Sequence, residues 1–214
     1  KPSRSSSPGV AAMGKEPIRH LVSFPEVRDM GGVPGVFSFE GDWEPDLEDK
    51  TSVRPLLDTI QRVEGVRFIH RRIGTEEELG YYLAKWLQKR YSRYRIGHFA
   101  FHGTPGRLWI GKTEMTLESL AEKIDGRAEG RVIYFSSCST LRLGDKRIEA
   151  FRAATGADAV VGYTKNVGWI ASSAFELLFF QAFCERTTLR GVKNWMLSTC
   201  PGLVKSLGMR FYHG

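Results

Sequence analysis

Two side chains in this sequence could do covalent chemistry together, the imidazole of His102 and the thiol of Cys138. Each stands just past an apolar run. Ile96-Gly-His-Phe-Ala-Phe-His-Gly103 closes on His102, and Arg131-Val-Ile-Tyr-Phe-Ser-Ser-Cys-Ser-Thr140 sets Cys138 between serines. Runs rich in β-branched and aromatic residues that end in small polar ones read as buried strands of a parallel sheet. If the two strands are neighbours, both side chains leave the sheet at its carboxyl edge, where open α/β sheets bind ligands. A thiol beside an imidazole there makes a nucleophile and its base.

Neither residue carries this reading alone, because a free Cys is among the most buried residue types. The pair does. Cys184, on an apolar helix, and Cys200, before Pro201, read as core residues. His98 shares a strand face with His102 by the period of two and is expected to pack under a helix. The three cysteines are too few for a disulfide framework. His98 and His102 sit four apart on a strand rather than a helix, so no metal site is expected, and no cofactor either. There is no Gly-x-Gly-x-x-Gly after the first strand and no phosphate-binding loop ending in Lys-Ser or Lys-Thr, which removes the main support for nucleotide binding. Gly-x-Ser-x-Gly is also absent, which disfavours a serine hydrolase.

The elements that position the pair alternate along the chain. Strands are predicted over 36–43, 66–73, 96–102, 131–137, 159–163 and 209–212. Helices are predicted over 53–63 (Ser52 as N-cap, Pro55 in the first turn), 75–91, about 117–124, 145–155, 168–186 and on both sides of Pro201. Thr75 and Glu78 form a capping box. Arg107–Ile110 and Glu114–Leu117 pair as a hairpin around Gly111-Lys112. Such alternation implies an α/β fold of three layers, α/β/α, around a mainly parallel sheet.

The 214 residues suit one domain, and a hydrophobic fraction of 42% is enough for a core. Residues 1–17, rich in Ser, Pro and Gly, read as a disordered tail or an expression remnant, and 18–214 as the domain, with a short strand at His20–Phe24. No apolar run is long enough to span a bilayer and no leader-like core is seen, so a cytoplasmic protein without membrane contact is expected. The net charge of +7 reads as a solubilising surface. Its one dense run, Lys89-Arg-Tyr-Ser-Arg-Tyr-Arg95, is the patch a nucleic acid would use, although direct binding is not the favoured reading.

Phe99-Ala-Phe-His-Gly103, Val132-Ile-Tyr-Phe-Ser-Ser-Cys-Ser-Thr140, Gly144-Asp145, Ala150-Phe-Arg-Ala-Ala-Thr-Gly-Ala157, Val160-Val-Gly-Tyr163 and the helix Trp169 to Phe183 together resemble the caspase-like cysteine peptidases, most nearly their CHAT branch. The resemblance covers roughly Val36 to Phe183. The residues around Cys138 are neither the Gln-Ala-Cys of animal caspases nor the Asp-x-Cys of arginine-specific relatives, so no specificity carries over. What the resemblance implies is a Cys–His dyad that hydrolyses peptide bonds in a protein substrate, with Cys138 as nucleophile and His102 as acid and base. The backbone N–H groups of Gly103 and Cys138 would receive the oxyanion, with Gly103 supplying backbone freedom; a simple turn residue is the alternative for Gly103. It also implies a protein partner that activates the site, moving the connector 104–130 or the loop 139–147, and a role in bacterial defence or cell death. At the end of the first strand, Glu40 and Asp42 would border the pocket and favour Arg or Lys; the alternative is two solvated loop carboxylates. Rival readings are a catalytically silent caspase-like binding module and a basic nucleic-acid-binding α/β protein.

Overall fold

The computed structural model describes residues 33–186 and 188–213. The tail at residues 1–17 and the strand expected at His20–Phe24 lie outside the described residues. In chain order the strands are β1 (Val36–Glu40), β2 (Phe68–Arg72), β3 (Ile96–Ala100), β4 (His102–Thr104), β5 (Arg107–Ile110), β6 (Thr113–Thr116), β7 (Val132–Ser136), β8 (Ala159–Tyr163) and β9 (Met209–His213). The helices are α1 (Arg54–Glu64), α2 (Glu76–Trp86), α3 (Leu117–Ile124), α4 (Asp145–Thr155), α5 (Trp169–Glu185), α6 (Leu189–Thr199) and α7 (Pro201–Leu207).

The main sheet has the order β2-β1-β3-β7-β8-β9. Its first five strands run parallel, and β9 joins antiparallel at the edge. Alternation along each strand builds two cores. Val132 and Tyr134 of β7 face a cluster with α1, α5, α6 and α7, whereas Ile133 and Phe135 face one with α2, α3 and α4. This is the three-layer α/β architecture expected from the alternation of elements. Both faces of the sheet are covered, which is why β1, β3 and β8 are buried along their whole length.

Local chemistry sets most boundaries. The capping box at α2 is formed as expected, with the Thr75 hydroxyl accepting the Glu78 N–H and the Glu78 carboxylate accepting the Thr75 N–H. Gly65 and Gly156 end α1 and α4 in the left-handed conformation, which glycine adopts without a Cβ penalty. Gly97 is required for space: a Cβ there would collide with the Trp86 ring.

Three expectations are corrected. The N-cap position of α1 is taken by Val53, one residue later than expected; the Ser52 hydroxyl still accepts the N–H of Arg54, the first helical residue, at 3.0 Å, while it donates to the Glu40 carboxylate at 2.7 Å. The helix expected to reach Tyr91 stops at Trp86, whose indole N–H is committed to the Tyr94 carbonyl at 2.7 Å; a single 3-10 turn, Lys89–Tyr91, follows. The strand ending on His102 is two elements. β3 stops at Ala100, and His102 begins β4 in a small antiparallel sheet of order β4-β5-β6. The hairpin β5–β6 turns at Gly111, whose φ is 57°.

Candidate active site

β3 and β7 are adjacent and parallel, with Ala100 opposite Ser136. His102 and Cys138 each follow two residues beyond those partners, at the carboxyl edge. Both line one cleft of about 140 Å³, together with Trp43, Val53, Phe101, Ser136, Ser137, Val167, Trp169, Ser172, Ser173 and Glu176. The fold therefore brings the thiol and the imidazole to one site.

His102 is oriented by the backbone. Its Nε2 lies 2.7 Å from the Trp43 carbonyl. A carbonyl can only accept, so Nε2 carries the proton, and in the neutral ring Nδ1 holds the lone pair. The indole of Trp43 stands edge-on to the imidazole at 5.3 Å and against Trp169 at 4.8 Å. Sequence reasoning named no third member, and a backbone carbonyl leaves no signal by which it could have been found.

Cys138 sits on a strained turn. Ser139 has φ 55°, a left-handed conformation that a residue with a Cβ adopts at a cost of roughly 1–2 kcal/mol. The turn is held in place by neighbours: the Ser139 N–H donates to the Lys165 carbonyl at 2.9 Å, its hydroxyl to Asn166, and Ser137 and Thr140 bond each other at 2.7 Å. The Val167 N–H donates to the Cys138 sulfur at 3.4 Å. Such a bond strengthens as the acceptor gains negative charge. The other two thiols lack this setting. Burial pushes Cys184 up to about 12, and burial raises Cys200 as well.

Gly103 presses against the Cys138 turn. A Cβ on it would meet the Cys138 carbonyl at 2.7 Å, the Ser137 Cβ at 3.0 Å and the Thr140 hydroxyl. Its φ is not among the positive ones, so glycine is required there for close approach rather than for the backbone freedom expected.

The acidic residues take different places from those expected. Glu40 is fully buried, and its carboxylate accepts from Trp43 Nε1, Ser52 Oγ and the Val53 N–H, each at 2.7 Å, and pairs with His70 Nε2 at 2.5 Å. Burial alone raises its pKa. The bonds, that from His70 first, outweigh burial and leave the pKa at about 2. Glu40 holds two wall residues of the cleft, Trp43 and Val53, and does not line the cleft itself. Asp42 is exposed and pairs with Arg72 at 2.7 Å.

A carboxylate that sequence reasoning passed over does line it. Glu176 of α5 is 2% exposed. Its Oε1 accepts from Ser136 Oγ at 2.5 Å and from the Tyr163 hydroxyl at 3.0 Å, and Tyr163 bonds Tyr134 at 2.9 Å. Burial, and then the Glu176 charge, push both tyrosines well above their ordinary values. His98 is buried under α5 as expected, between Ser38, which meets its Nδ1 at 3.0 Å, and Glu176 Oε2, 3.3 Å from its Nε2 without hydrogen-bond alignment. In sequence Glu176 reads only as an interruption in an apolar run.

Among solved structures, the crystal structure of caspase-1 from Spodoptera frugiperda is similar, with a TM-score of 0.53 at 15% identity over 85% of this chain and 86% of that chain. The chain thus has a caspase-like α/β fold, with a thiol and an imidazole at its carboxyl edge. A family model matches residues 34–213, and the chain belongs to that family, the family of unknown function DUF6642. No curated protein matches the chain. No helix among the described residues is long and apolar enough to cross a membrane.

Proposed function

We propose that this protein is a cysteine endopeptidase, in the manner of the CHAT branch, that cuts a partner protein in the cytoplasm. The observation that carries the proposal is the placement of His102 and Cys138 two residues past paired strand ends, in one cleft, with the His102 proton fixed on Nε2 by the Trp43 carbonyl. The Cys138 sulfur attacks the carbonyl carbon of the scissile bond, and its proton passes to Nδ1 of His102. The oxyanion is received by the N–H groups of Gly103 and Cys138. The C–N bond breaks as His102 returns the proton to the leaving amine. Water, deprotonated by His102, then hydrolyses the thioester, which releases the new carboxyl terminus and restores the thiol. Every proton is carried by the two residues and water, so the chemistry calls for no cofactor.

The surroundings support a site that a protein partner switches on. The Cys138 turn is held by Lys165 and Asn166 of the loop after β8, and Gly103 is wedged against it from β4. A partner that shifts either segment would move the nucleophile. Defence or programmed cell death is the setting we propose. The test is incubation with an unfolded-protein mixture and a peptide library, read by mass spectrometry of new termini, with and without candidate partners from the same genome. Cleavage lost in both Cys138→Ala and His102→Ala supports the reading. Cleavage that survives Cys138→Ala sinks it.

A further inference from the structure

The polar residues beside the cleft form a system that the Cys–His chemistry does not use. Ser38, His98 and Tyr134 lie side by side across β1, β3 and β7. Above them α5 sends Glu176 inward, between Phe175 and Leu177. An isolated carboxylate is expensive to bury, and an apolar side chain of similar volume would pack there without that cost. The hydrogen-bonded partners of Glu176 are uncharged groups. Ser136 and Tyr163 are hydroxyls, and both bond Oε1. Among the described residues, His98 is the only basic side chain within ion-pair reach, and its Nε2 is a buried nitrogen without a hydrogen bond. No hydrogen bond from the described residues reaches Oε2.

The space in front of Glu176 has a definite size and lining. About 140 Å³ admits one long side chain, and is well below the roughly 300–1,000 Å³ of pockets for cofactors and drug-sized ligands. Its walls include two indoles, Trp43 and Trp169, with the small residues Ser172 and Ser173 on the α5 side. Aromatic walls suit an aliphatic stem that ends in a cation, and a carboxylate behind them suits the cation itself. The hydroxyl of Ser136 lies two residues before Cys138, so the slot adjoins the nucleophile.

We infer that Glu176, rather than Glu40 or Asp42, determines specificity, by receiving the Lys or Arg side chain that precedes the scissile bond. This rests on the reading of Cys138 as a nucleophile. The two fail in different ways. In an arriving substrate the Lys or Arg head would bring a full positive charge to the Oε2 side of Glu176, which no hydrogen bond from the described residues reaches.

The experiment uses peptide chloromethylketones that differ only in the residue nearest the warhead: Arg, Lys, citrulline and Leu. Labelling of Cys138 in the full chain is followed by intact mass and peptide mapping, beside iodoacetamide. Arg and Lys probes are expected to react faster than citrulline and Leu probes by about tenfold or more, as one charge pair predicts. Glu176→Gln should erase that advantage and leave the Leu probe nearly unchanged. If Glu176→Gln fails to fold, Ser173→Lys, which puts a fixed cation in the slot, should lower the Arg-to-Leu ratio instead. Equal rates for Arg and citrulline probes in the wild type, or an Arg preference that survives in the folded variant, overturn the inference and leave the nucleophile standing. If no probe labels Cys138, alone or with the candidate partners added, the nucleophile falls and the inference falls with it.

Discussion

Replacing Glu40 with Gln tests whether that residue is a structural clasp or a surface acid. The side chain is fully buried, and its carboxyl is held at about 2 against an ordinary 4.5, because four hydrogen-bonded partners outweigh the cost of burial. At 1.36 kcal/mol per pH unit, that difference makes the ionised group worth about 3 kcal/mol to the folded state. The sign follows from the direction. The folded value lies below the unfolded one, so the contribution is complete above about pH 4.5 and fades as the pH falls toward 2. Urea unfolding at pH 7 should place Glu40→Gln about 3 kcal/mol below the wild type, and the gap should shrink by about half at pH 3. Circular dichroism and tryptophan fluorescence should give the same midpoint. The Leu chloromethylketone should also react more slowly with the variant, because Glu40 holds Trp43 and Trp43 orients His102. A gap under about 1 kcal/mol at pH 7 would refute the clasp, as would one of equal size at both pH values.

Gly103→Ala should destabilise the fold by about 1–3 kcal/mol in thermal or urea melts and slow Cys138 labelling, because the added methyl has to displace the Cys138 turn. Gly97→Ala should cost about as much through collision with Trp86, on the far face of β3, but leave the labelling rate of the folded protein unchanged. Among the other thiols, Cys184 should label last at neutral pH and gain rate only as the pH climbs toward 12, because burial keeps it protonated; peptide mapping across a pH series would show this. Thr75→Ala should lower stability by about 1 kcal/mol in urea melts, through loss of the capping box.

The legible parts of this protein were those written in local pattern. The capping box, the helix 145–155 closed by Gly156 and the strand 159–163 each carry their signal within a few residues, and the structure places them as expected. His102 and Cys138 were visible because their chemistry breaks an apolar strand pattern at its end. Less legible were polar groups whose partners lie far away in sequence. Glu40 looked like the tip of a strand entering an acidic loop, yet its donors are 3, 12, 13 and 30 residues along the chain. Ser52 looked like the N-cap itself because nothing local shows that its hydroxyl also reaches Glu40 and that Val53 takes the N-cap position. Glu176 looked like a blemish on an apolar helix, and its role depends on which strand residues that helix crosses. The Trp43 carbonyl belongs to the backbone, which has no letter in a sequence.

The most direct test of the central claim is the pH dependence of alkylation at Cys138, with iodoacetamide as probe and Cys184 and Cys200 as internal references. The account predicts that Cys138 reacts fastest of the three at neutral pH, and that His102→Ala slows it without changing the other two. Labelling of Cys138 no faster than Cys184 both alone and with the candidate partners, or a rate indifferent to His102→Ala, would contradict a dyad at this site.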